Sequence, residues 1–190
     1  MNGALTVTAL MTFDLDSARE VLARTPATVR ALVGNISPGW TQAFSRDGSW
    51  RAFDVLGHLI QGDIEDWVPR ARVILERGES EPFEAFDRSG FERTTAGKTL
   101  SQLLDTFDEV RARCLQELDG LNLDEAMLDK TGIHPEFGRV TLRQMLATWT
   151  THDLAHIGQI ADSMARRYRD DVGPWRRYLP VLDRPEEDSG

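Results

Sequence analysis

Residues 141–168 read TLRQMLATWTTHDLAHIGQIADSMARRY, and the periodicity of this stretch decides the fold. Leu142, Met145, Trp149, Ile160 and Met164 recur at helical spacing and share one side of the wheel. His152 and His156, four residues apart, are offset by about 40° on an α-helix and stack one turn apart on that apolar side. Gln159 continues the same stripe. Two buried imidazoles need polar partners, and a metal ion held between the rings is one way to supply them. Two hydrogen-bonded core histidines would show the same spacing, so this segment alone leaves both readings open.

Working outward, Thr141 with Gln144 forms a capping box that opens the helix. It is expected to run to about Asp171, where Gly173-Pro174 ends it before a short apolar return through Trp175, Tyr178, Leu179 and Leu182. A second capping box, Thr99 with Gln102, opens a helix through Leu103, Phe107, Val110, Cys114 and Leu118 that stops at Gly120. Asn122 to Val140 reads as a connector without strands. Arg51 to Arg77 reads as one long helix with Phe53, Leu56, Ile60, Ile64, Trp67 and Ile74 on its main apolar arc and a bend at Pro69. From Asp14 to Gly34 a first helix is expected, interrupted by a kink at Thr25-Pro26. Turn formers at residues 37–39 and 46–49 place Trp40 and Phe44 in a loop. Glu79 to Lys98 is acidic and rich in turn formers; it reads as a long loop whose Phe83, Phe86 and Phe91 help to wall a pocket. Four long helices without a repeat predict an all-α fold, a four-helix bundle with long connecting loops.

At 190 residues the chain has the size of one domain. We expect a flexible arm over residues 1–12, the bundle over 13–185 and a disordered tail over 186–190. A net charge of −9 and a pI near 4.9 provide no basic footprint, which argues against nucleic acid or an anionic membrane as partner. Cys114 is the single cysteine, so no disulfide framework forms, and no apolar run approaches the roughly 20 residues of a membrane span. A soluble, cytoplasmic protein is expected.

Several stretches taken together carry a resemblance. Trp50 with Val55-Leu56-Gly57-His58-Leu59 is followed by Phe86-Asp87-Arg88 and His134-Pro135-Glu136-Phe137-Gly138-Arg139-Val140-Thr141-Leu142. Then come His152-Asp153-Leu154-Ala155-His156 with Gln159-Ile160, and a closing Val172-Gly173-Pro174-Trp175. In this order and separation the chain resembles the DinB-like, or DinB/YfiT, superfamily of metalloenzymes. The resemblance implies a four-helix bundle with a three-histidine site for a divalent metal, zinc or nickel in different members, and places its ligands at His58, His152 and His156. It also implies, from related branches, transferase or isomerase chemistry with low-molecular-weight thiols. The helical wheel alone would not select His58, which shares a polar side with Asp54, Gln61 and Glu65. Where the family often has Ser after the Trp as a helix cap, this chain has Arg51.

Three neutral imidazoles with an open fourth position form the ligand set of a catalytic metal, since structural sites normally close all four positions with protein groups. Gln159 is a candidate for orienting a ligand bound there. Asp54 and Asp153 are candidates for accepting the second ring N–H of the histidines, although salt bridges would account for both equally well. His134, a loop histidine beside a proline, is a candidate lining residue. The leading functional expectation is a metal-dependent transferase or hydrolase of a small molecule; the contrasting one is a non-catalytic metal-binding bundle. Apolar arcs wider than one bundle seam, with Ile64 and Trp67 on one helix and Leu154, Ile157 and Ala161 on another, predict a homodimer.

Overall fold

Asp14 opens the first helix by accepting the Ser17 N–H at 2.7 Å. Helix α1 then runs over Leu15–Val33 in the computed structural model, which describes residues 12–42 and 50–182. The remaining elements are α2 (Pro38–Thr41), α3 (Ala52–Glu65), α4 (Trp67–Arg77), α5 (Phe91–Thr95), α6 (Leu100–Gly120), α7 (Glu125–Leu128), β1 (Thr131–His134), β2 (Gly138–Thr141) and α8 (Leu142–Ala165), followed by 3-10 turns to Leu182. The expected arm up to residue 11, the turn at 46–49 with Phe44, and the tail at 186–190 lie outside the described residues.

The four long elements, α1, α3 continued by α4, α6 and α8, form the four-helix bundle. Both α1 and α3 pack on α6 and α8, and the core they share includes Leu56, Ile60, Phe107, Leu142, Leu146 and Trp149. Both expected capping boxes are present: Gln102 N–H donates to Thr99 Oγ1 at 3.3 Å and Gln144 N–H to Thr141 Oγ1 at 3.1 Å. At the start of α3 the absent serine is replaced by a different device. Asp54 reaches back to accept the Arg51 backbone N–H at 3.0 Å and also binds its guanidinium.

The structure departs from the sequence reading in several places. Helix α1 is continuous through Pro26. A proline has no N–H for the carbonyl four residues earlier, and here that carbonyl, Leu22 O, is taken by Arg111 Nη1 at 2.9 Å, so the helix need not kink. The long second helix breaks at Asp66, not at Pro69: Asp66 has φ −112° and ψ −71°, and Pro69 sits in the first turn of α4, where no donor is missed. Ile64, read as part of the apolar arc, is 46% exposed. The expected loop over 79–98 contains α5. The connector contains a short antiparallel hairpin, with Thr131 opposite Thr141 and His134 opposite Gly138; four-residue strands that include Gly132 and Gly138 and are followed or preceded by turn residues such as Pro135 carry too little alternation to be read. Helix α8 gives way at Ala165 to a 3-10 turn, six residues before the expected end. Among the described residues no helix is long and apolar enough to cross a membrane.

Candidate metal centre

Helices α3 and α8 bring three histidines together in the interior. His152 Nε2 lies 3.0 Å from His58 Nε2 and 3.0 Å from His156 Nε2, so all three rings turn the same atom toward one point. The side of α3 that carries His58 looks polar on a wheel, yet Asp54, His58 and Gln61 are all buried. Helix α5 covers this side, and Gly57 permits the approach, because a Cβ there would stand 2.4 Å from Thr95 Cγ2. Gln61 ties the covering segment down by donating to Asp87 O at 2.9 Å and to Glu65 at 2.7 Å.

Aromatic rings close the remaining sides. Trp50 lies 4.8 Å from His58 and stacks on His156 at 6.3 Å, with Phe91 behind it at 4.8 Å. Phe86 meets His58 edge-on at 5.5 Å and Trp67 meets His152 at 5.1 Å. This burial, with the neighbouring ring as a smaller cause, holds the His58 pKa down to about 3; burial likewise holds His152 down to about 2, and lowers His156. The three rings are therefore neutral, the state in which a ring nitrogen can ligate.

Their hydrogen bonding does not close on itself. His156 Nδ1 lies 2.6 Å from Gln159 Oε1; the amide oxygen can only accept, so the ring proton is on Nδ1 and Nε2 presents a lone pair. His58 Nδ1 and His152 Nδ1 have no hydrogen-bond partner among the described residues. At the point where the three Nε2 atoms meet, at most some of the lone pairs can receive a proton from a neighbouring ring. A divalent cation is the group that would satisfy all three at once, and the three residues are grouped with their ligand atoms within 4.8 Å of one another. The donor set fits a metal.

The remaining sequence candidates separate. Gln159 bonds His156 directly, so it orients a ring and not an incoming ligand. Asp54 does not serve His58: its carboxylate is taken by Arg51, at 2.7 Å from Nε and 2.6 Å from Nη2. Asp153 does not serve His152 either. It faces Arg111, which also binds Asp63, in a network where every charged residue is 1% exposed or less. Burial opposes the charge on Arg111, but the two carboxylates more than offset it and raise its pKa.

His58 and His152, but not His156, line a cavity of about 440 Å³ between α3–α4, α8, the segment before α5 and the hairpin. Phe86 and His134 line it. Phe83 lines it too but is 5% exposed and belongs to the core, while Phe91 lies behind Trp50, outside the lining. Sequence reasoning missed Arg70 and Gln144 as lining residues. His58, Gly62, Asp66 and Arg70 follow at four-residue intervals, a stripe that was available to be read; Gln144 was read only as a cap.

The chain matches the DinB superfamily over residues 22–160. Among solved structures it is similar to YfiT from Bacillus subtilis, described as "a probable metal-dependent hydrolase with an unusual four-helix bundle topology", with a TM-score of 0.67 and 19% identity over 88% of this chain and 93% of that one. No curated protein matches.

Proposed function

This chain belongs to the DinB superfamily, and from that premise we propose that it is a divalent-metal-dependent hydrolase of a small molecule that enters the cavity beside His58 and His152. The observation that carries the reading is the convergence of three neutral Nε2 atoms on one point at the wall of that cavity. Three imidazoles suit zinc or nickel and leave a coordination position unfilled by protein. When bound, such an ion supplies Lewis acidity, lowering the pKa of a water or a low-molecular-weight thiol so that a nucleophile exists near neutral pH. The chain's own residues do the rest. Gln159 fixes the His156 tautomer, Trp50 and Phe91 exclude solvent behind the histidines, and the cavity positions the substrate in front of them. The description of YfiT as a hydrolase supports water over thiol as the second reactant.

Tag-free protein loaded with zinc or nickel tests this against a panel of small esters, lactones and amides, with a parallel arm containing a thiol and an electrophilic acceptor. Turnover that disappears with chelator and in His152→Ala is expected in the hydrolytic arm. Turnover confined to the thiol arm would make the chain a transferase. Inactivity in both arms, with metal bound, would leave a non-catalytic metal-binding bundle. A two-fold dimer belongs to the same proposal: Leu154 is 53% and Ile64 46% exposed, whereas Trp67, at 6%, is core. Sedimentation of Leu154→Glu tests it, and an unchanged dimer would remove that face.

A further inference from the structure

Three side chains lining the cavity, His134 and Gln144 with their acceptor atoms engaged and Arg70 with none to engage, keep N–H groups without a hydrogen-bond partner among the described residues. His134 Nδ1 accepts the Glu136 N–H at 3.1 Å and the Phe137 N–H at 3.3 Å, which puts the ring proton on Nε2 as a donor. Gln144 Oε1 accepts the Thr141 N–H at 2.9 Å, leaving both amide hydrogens. Arg70 Nε faces Asp66 Oδ1 at 2.5 Å, an ion pair outside hydrogen-bond alignment, and Nη2 donates to Glu84 O at 3.1 Å. Arg70 Nη1 has no hydrogen bond among the described residues.

Arg70 and His134 are neighbours, and Gln144 lines the same cavity. The Arg70 guanidinium lies over the Phe83 ring at 5.3 Å and His134 meets the same ring edge-on at 6.2 Å. They also stand away from the histidine cluster, since eight residues of α8 separate Gln144 from His152, a rise of about 12 Å. Between the two ends the walls are largely apolar, with Trp67, Phe86 and Met145. Of the other charged lining groups, Asp66 is paired with Arg70, and Arg88 lies at the rim 3.9 Å from Glu136 with both more than half exposed.

The hydrogens left over on these three side chains match a group that accepts, and the guanidinium, held by Asp66 on Nε alone, favours an anionic one on its free edge. We infer that the Arg70–His134–Gln144 end of the cavity is a carboxylate subsite, and that the substrate is a small carboxylic acid whose apolar body reaches to His58 and His152. The inference rests on reading the histidine end as the reacting end, but the subsite can be tested with no metal present.

Calorimetric binding of phenylacetate and of phenylacetamide to chelator-treated protein is the experiment. The acid should bind more tightly than the amide by about tenfold, and the ratio should fall toward one in His134→Phe and Arg70→Met. Gln144→Glu keeps a capping residue at the same position of α8 while replacing donors by a like charge, and should abolish phenylacetate binding. It decides the matter even where Arg70→Met lowers the melting temperature. Equal affinity for acid and amide, or unchanged binding in Gln144→Glu, overturns the subsite, as does phenyl phosphate binding more tightly than phenylacetate. Loss of the acid preference with metal-dependent turnover intact sinks this inference alone; the reverse result sinks the proposed reaction alone.

Discussion

His152 and Asp153 are adjacent in the chain and point into two different polar clusters of the same bundle. On the Asp153 side, Arg111 is held at 2.5 Å by Asp153, at 2.8 Å by Asp63 and by the carbonyl of Leu22, and no residue of the network lines the cavity. On the His152 side, two ring nitrogens have no partner among the described residues, three Nε2 atoms converge, and the cluster opens on a cavity. Burying charge without partners is costly, and the Arg111 network meets that cost internally, as a device that locks α1, α3, α6 and α8 in register. The histidine cluster leaves its polar capacity unmet. A buried polar cluster that is satisfied holds the fold; one that is unsatisfied and reachable is where a ligand belongs.

The largest expected effect lies on the satisfied side. Arg111→Met leaves Asp63 and Asp153 buried without their cation and removes the partner of Leu22 O, so chemical denaturation should register a loss of about 3–5 kcal/mol. Adding Asp63→Asn and Asp153→Asn should recover part of it. His152→Ala in chelated protein should cost only about 1–2 kcal/mol, the price of a small cavity. Equal losses from the two single variants would erase the distinction between the clusters.

A smaller effect sharpens the comparison from the other side. Gln159→Ala removes the acceptor that fixes the His156 tautomer and should weaken metal binding about 10–100-fold, with a melting temperature of the chelated protein close to that of the parent. Unchanged metal affinity, measured by competition with a chromophoric chelator, would show that the 2.6 Å contact orients nothing.

What the sequence disclosed follows from where the determining contacts lie. Helix α8 was legible because its apolar stripe, its capping box and two of the three histidines are local in the chain. His58 was not legible from periodicity, because the residues that bury its polar side, Trp50 and those of α5, approach from outside the helix; only the resemblance pointed to it. For Asp54 and Asp153 the choice between a histidine partner and a salt bridge stayed open for a related reason, and both proved to be salt bridges. A carboxylate goes to the strongest donor in reach, and Arg111, 42 residues from Asp153, is brought beside it only by the packing of α6 on the bundle. The hairpin was hidden by short strands rich in turn formers, and the break at Asp66 by the absence of any Gly or Pro over residues 63–68 to mark it.

The central claim is that His58, His152 and His156 hold one divalent ion. Elemental analysis of protein purified without a histidine tag and re-equilibrated with zinc or nickel tests it most directly. The parent should carry about one ion per chain, and His152→Ala/His156→Ala none, with His58→Ala binding far more weakly. Full occupancy in the double variant, or unchanged affinity in His58→Ala, would contradict it.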